Sequence, residues 1–199
     1  MTKQNTTKRL AEIAVLGAII VLMSFTPLGY LKIGPLSITF LTIPVAIGAI
    51  VLGASGGLIL GTIFGLTSFA QCFGMDAFGT LLFGVNPLFT AILCILPRAA
   101  MGYLTGLCFE LLKKTEIKQT FAYAISAFLA SALNTVLFVS ALLLLFRNSE
   151  PVIENLGDSV IKIIGVLVTT NSLVEAVAAT VLVTIIAKAV MEAVEKRRK

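Results

Sequence analysis

The residue with the most chemistry to offer is an arginine in an apolar setting. Arg98 follows Leu88-Phe-Thr-Ala-Ile-Leu-Cys-Ile-Leu-Pro97, and apart from it residues 88–112 read as one membrane-spanning helix. It lies about ten residues in, so at ~1.5 Å per residue it sits roughly 15 Å deep, near a bilayer midplane. A cation there costs roughly 2.5–3.5 kcal/mol on insertion scales, so it is expected to face protein or a water-filled cavity. Two readings follow. In the plainer one Arg98 is satisfied by carbonyls or by a buried carboxylate such as Glu175. In the functional one its guanidinium fork grips an anionic ligand.

Other polar residues fall at a matching level when helix residues are counted from the same face: Asn134 and Asn171, with Glu175 one turn beyond Asn171. Tyr103 is five residues past Arg98, and Gln71 and Asn86 flank the glycine- and phenylalanine-rich segment 72–87, whose only charge is Asp76. One cation, several amides and phenylalanine walls suit a small polar solute with one carboxylate. Substrate-binding candidates are therefore Arg98, Asn134, Asn171, Gln71, Tyr103, Asn86 and Glu175.

The sequence lacks other kinds of chemistry. Without histidine there is no Ser-His catalysis, His-ligated zinc or His relay. No G-x-x-x-x-G-K-[ST] loop exists to bind ATP, and Glu175 has no mid-membrane carboxylate partner for an ion relay. Cys72, Cys94 and Cys108 lack paired spacing and read as small core residues. No catalytic residue, cofactor or metal site is expected, and an intramembrane hydrolase is disfavoured.

The elements that position these residues are membrane helices. The chain has 199 residues, 58% hydrophobic and 13% charged, against about 25% charged in soluble domains. Mean hydropathy is +1.03. The expected fold is an all-α membrane protein, one domain over 1–199, forming a six-transmembrane-helix bundle. Its spans are expected at about 10–26, 38–52, 57–71, 88–112, 119–146 and 159–191. Pro44 falls inside the second span, Gly53-Ala-Ser-Gly-Gly57 is a tight turn, and Gly53, Gly57, Gly61 and Gly65 form a ladder for close packing. Residues 27–35 and 147–158 are expected as loops, with Tyr30 at the interface, and Pro97 is expected to kink its helix. The N-terminus, Lys113–Lys118 and the tail Glu195-Lys-Arg-Arg-Lys199 are basic, which puts both termini in the cytoplasm and opens the pocket to the extracellular side. Ala11, Ala14 and Ala18 make a smooth stripe on the first helix that another helix can approach closely.

Three segments carry a resemblance: Gly34-Pro-Leu-Ser-Ile-Thr-Phe-Leu-Thr-Ile-Pro44, Phe64-Gly-Leu-Thr-Ser-Phe-Ala-Gln-Cys-Phe-Gly74, and Asn86-Pro-Leu-Phe with Pro97-Arg98. With the Ala14-x-x-x-Ala18 stripe, they make the chain resemble the substrate-binding S-components of energy-coupling factor (ECF) vitamin transporters, most closely the pantothenate type. The resemblance implies a bacterial plasma-membrane subunit, with no enzymatic activity of its own, that captures a vitamin from outside. Ala14 and Ala18 would then dock on a transmembrane scaffold carrying two ABC-type ATPase subunits, with Arg98 and Asn134 holding the vitamin. Nucleic acid has no part in this. Competing expectations are an S-component for riboflavin, niacin or folate, a stand-alone secondary transporter, and a ligand-free structural subunit in which Arg98 pairs with Glu175.

Overall fold

The computed structural model describes residues 3–33, 36–156, 161–162, 165 and 173–196. In chain order the elements are α1 (Lys3–Ser24), a hairpin of β1 (Tyr30–Ile33) and β2 (Leu36–Thr39), α2 (Thr42–Gln71) and α3 (Ala77–Val85). They continue with α4 (Pro87–Leu112), α5 (Gln119–Phe146), α6 (Glu150–Leu156) and α7 (Leu173–Lys196). Among the described residues four helical stretches are long and apolar enough to cross a bilayer: Thr42–Gln71, Pro87–Leu112, Gln119–Phe146 and Glu175–Ala193. Large apolar side chains such as Leu22, Leu144 and Ile185 face outward, more than 60% exposed, as suits contact with lipid tails. Beyond Arg9, α1 offers only about fifteen residues, short of the ~20 that span a bilayer core.

α2 is two helical limbs. Gly53 takes φ 76° and ψ −174°, a conformation that breaks the helix and that glycine adopts without a Cβ penalty. The limbs fold back on each other: Leu60 covers Gly48 and the Ala49 methyl faces Gly57, pairs that a straight helix would hold more than 10 Å apart. The expected turn at 53–57 is thus centred on Gly53. The remaining glycines of the ladder serve a different purpose. A methyl at Gly57 would run into the Gly102 carbonyl, and one at Gly61 into the Arg98 carbonyl, so α2 lies directly against the α4 backbone where Arg98 sits. The first limb, Thr42 through Ile50, is buried throughout and forms the centre of the core with Leu60, Phe64, Met101 and Tyr123.

Several boundaries differ from expectation, each for a local reason. Residues 38–39, placed at the start of the second span, belong to β2, which pairs antiparallel with β1 in the register Tyr30↔Thr39. Its alternating Leu-Ser-Ile-Thr pattern has the period of a strand. The helix therefore starts at Thr42, and Pro44 sits in its first turn, where a missing N–H breaks no bond. Segment 72–87 contains α3, started by Asp76, whose Oδ2 accepts from the Gly79 N–H at 2.7 Å. The polar loop at 147–158 contains α6, whose Val152 and Leu156 pack with Phe78, Leu82 and Phe146 in a second core cluster. The expected start of the sixth span lies partly outside the described residues.

Opposite charges hold the end of the bundle remote from the hairpin. Arg9 Nη2 donates to the Leu52 carbonyl at 3.4 Å and to Ser55 Oγ, at the C-terminus of the first limb of α2. Glu110 Oε1 accepts from the Ala54 N–H at 3.0 Å, at the N-terminus of the second limb. Each charge complements the helix end that it meets. Gly53→Ala should lower stability by about 1–2 kcal/mol, because it forces a positive φ on a residue with a Cβ. The added methyl would also lie 2.6 Å from Glu110 Oε1. Thermal unfolding in detergent checks this, and an unchanged midpoint would rule out the broken helix.

Candidate ligand-binding site

The Pro97-Arg98 pair builds the site. α4 runs on through Pro97, whose ring nitrogen has no hydrogen to donate to the carbonyl four residues back, that of Leu93. Arg98 Nη1 donates to that same carbonyl at 2.8 Å. The proline opens an acceptor and its neighbour fills it, which fixes the arginine against its own helix without a carboxylate. The guanidinium carbon lies 4.8 Å from the Phe138 ring centroid and 5.5 Å from that of Phe64, within cation–π range of both. Arg98 Nε is buried and has no hydrogen-bond partner. Among the described residues no carboxylate comes within salt-bridge distance of Arg98, so the expected Arg98–Glu175 pair is not made.

Arg98 opens into a cavity of about 530 Å³ lined by the hairpin side, α2, α3, α4, α5 and α7. That size suits a small organic ligand. Of the residues proposed from sequence, Arg98, Asn134, Gln71 and Glu175 come together on its wall. Asn134 Oδ1 and Glu175 Oε1 are buried and unpartnered, as is the Tyr30 hydroxyl. A buried polar atom without a partner costs about 1–3 kcal/mol, and these three belong to residues that line one cavity. Gln71 is partly committed elsewhere: its Nε2 donates to the Ser24 main-chain carbonyl, tying the end of α2 to the end of α1. The Ser24 hydroxyl reinforces that tie by donating to Thr67 Oγ1 at 2.8 Å.

Two proposed residues stand elsewhere. Tyr103 is 41% exposed and is not on the cavity wall. Five helical residues amount to about 500°, which puts it roughly 140° around α4 from Arg98. Asn86 is the N-cap of α4, its side-chain oxygen accepting from the Phe89 N–H at 3.1 Å, and it too is off the wall. Asn171 lies outside the described residues.

The sequence missed some of the wall. Tyr30 enters it from β1 instead of lying at an interface, and its burial raises the hydroxyl pKa well above the ordinary tyrosine value, keeping it a donor. Asp76, Phe64 and Phe138 also line the cavity. Cys72 and Cys94, read as scattered core residues, face each other there with their Sγ atoms 3.8 Å apart. A period-two pattern at 36–39 could have announced the hairpin, but nothing in linear spacing announces contacts between α2 and α4.

Residues 8–187 match the family model described as ECF transporter, substrate-specific component. The chain belongs to this family. It is similar to the pantothenic acid transporter PanT of Lactococcus lactis subsp. cremoris, at 27% identity over 96% of this chain and 97% of that protein. It is also similar to the pantothenate transporter PanT of Leuconostoc mesenteroides, at 34% identity over 66% of each chain. This S-component is therefore a multi-pass membrane transport subunit, and its wall carries one cation on an otherwise mostly apolar surface. Asn86→Ala should lower its stability by about 1 kcal/mol through loss of the cap. Neither that change nor Tyr103→Phe should alter ligand affinity by isothermal titration. A tenfold loss in either would return that residue to the site.

Proposed function

We propose that this S-component captures pantothenate from outside the cell. The observation that carries the reading is Arg98, held by the Leu93 carbonyl and two phenylalanine rings, with a free donor on a cavity of ligand size. Pantothenate supplies a carboxylate for the guanidinium fork. Its hydroxyls and amide suit the polar groups of Asn134, Gln71 and, by sequence, Asn171. The names of the two PanT relatives support this choice of vitamin.

On this reading the chain crosses the bacterial plasma membrane six times. α1, the two limbs of α2, α4, α5 and a last helix that includes α7 make the crossings, the short α1 and first limb of α2 requiring local thinning of the bilayer. The hairpin and α3 close the cavity on the extracellular side, and both termini are cytoplasmic, in keeping with the basic groups near the Gly53 turn and in Lys113–Lys118. Family membership implies partners of the ECF kind, a transmembrane scaffold and two ATPase subunits. The docking face is the stripe of Ala11, Ala14 and Ala18. All three are exposed, while Ile20 on the opposite side of α1 is buried. Small side chains there let a partner helix approach closely.

Titration of the purified protein with a vitamin panel tests the ligand. Arg98→Ala should weaken pantothenate binding on the order of a hundredfold or more, since two charged hydrogen bonds are each worth roughly 1.5–3 kcal/mol. Arg98→Lys should fall between, keeping the charge but losing the bidentate geometry. Unchanged affinity in Arg98→Ala would refute the anchor. Tight binding of riboflavin without pantothenate would reject the vitamin. An Ala14→Leu/Ala18→Leu variant should bind pantothenate normally but fail to co-purify with the scaffold. Retained uptake in cells lacking the ATPase subunits would reject the docking scheme.

A further inference from the structure

The cavity holds a second charge that an anion-binding site does not need. Glu175 is 5% exposed, on the first turn of the described part of α7, and lines the wall that Arg98 lines. It makes no salt bridge with Arg98. The groups that surround its carboxylate are the Thr39 main chain and the side chains of Asn134 and Thr42, with Arg98 acting at longer range. Glu175 Oε1, Asn134 Oδ1 and Thr42 Oγ1 are all buried, and none has a hydrogen-bond partner. The first two are acceptors only. The other unfilled atoms of the wall are a guanidinium N–H at Arg98 Nε and the hydroxyl of Tyr30, which lies near Ser68 and Arg98. The Arg98 end of the wall therefore offers a guanidinium N–H and a hydroxyl, and the Glu175 end two acceptor oxygens with the Thr42 hydroxyl beside them.

Resting on the pantothenate reading, we propose that the cavity is polarised and that Glu175 is its specificity-determining residue. Arg98 and Tyr30 receive the ligand carboxylate, while Glu175 and Asn134 accept hydrogen bonds from the hydroxyl groups at the other end. The two charges do different jobs. The Glu175 carboxylate forms no salt bridge with Arg98, so it leaves the guanidinium available to an anionic ligand. It also selects for the donors that the ligand brings. An acid of similar length without hydroxyls would leave Glu175 and Asn134 buried and unpaired, and a second anionic group would be repelled there.

The test pairs protein variants with ligand analogues, using purified protein in detergent and isothermal titration. The ligands are pantothenate, its dideoxy analogue with both hydroxyls replaced by hydrogen, and its alcohol analogue with CH2OH in place of the carboxylate. The wild type should bind pantothenate more tightly than either analogue. Glu175→Gln should weaken pantothenate on the order of ten- to a hundredfold, the range for hydrogen bonds to a charged group, and change the dideoxy analogue by less than about twofold. Arg98→Gln should instead erase the preference for pantothenate over the alcohol. If Glu175→Gln does not fold, Asn134→Leu, similar in shape but without the acceptor, should show the same dependence on the hydroxyls. A Glu175→Gln effect that is equal for pantothenate and the dideoxy analogue, whether loss or gain, would overturn the proposal. Equal loss would make Glu175 a structural residue, and equal gain a mere counter-charge to Arg98. A wild type that binds none of the three ligands would overturn the pantothenate reading, and this inference with it.

Discussion

A guanidinium in an apolar helix bundle needs partners, and Arg98 obtains its first one from its own helix. Pro97 cannot donate to the Leu93 carbonyl, and Arg98 occupies the acceptor so exposed. This one contact turns two apparent faults, a proline in a helix and a cation in hydrocarbon, into a fixed point. Phe64 and Phe138 flank the charge without neutralising it. An ion pair would have held Arg98 as firmly, but it would have left less of the charge for a ligand. No carboxylate among the described residues reaches it, and Arg98 is part of the cavity wall.

The rest of the bundle is arranged to bring other elements close to that point. Gly57 and Gly61 let α2 meet the α4 backbone at Gly102 and Arg98, where any side chain would force the helices apart. Gly53 lets α2 fold back, so its buried first limb packs behind the second. Close packing of this kind is how membrane helices associate when lipid offers no hydrophobic drive between them. The hairpin then brings Tyr30 and Thr39 to the cavity wall, and Phe78 of α3 and its N-cap Asp76 join them. The same end holds the tie from Gln71 to Ser24, so the cavity wall is joined by hydrogen bonds to α1, whose opposite face carries the exposed alanines.

The cavity wall carries a guanidinium at one place and a buried carboxylate and amide at another, so on the proposed reading it suits a molecule with unlike ends. Charge alone would not discriminate among small carboxylic acids, since all present the same group to an arginine. Discrimination comes from the buried atoms left unpaired by the wrong ligand, which is the more costly error in a setting that excludes water.

Membership of the membrane class, the apolar helices, the placing of Arg98 inside the bundle and the alanine stripe were all legible in the sequence. Each follows from composition or from the helical period, quantities local to the chain. Asn134 could be placed level with Arg98 by counting residues, because helix rise is constant. The same local arithmetic located the turn at Gly53 but not the hairpin at 30–39, where four-residue strands are too short to outweigh an apolar background. Only the tertiary structure decided which polar residues meet. It set Tyr103 on the far side of α4, spent Asn86 on a helix cap, brought the free thiols of Cys72 and Cys94 face to face, and kept Glu175 beside Asn134 and away from Arg98. The physical reason is that depth along a helix is fixed by sequence, whereas rotation about its axis is set by which neighbours it packs against.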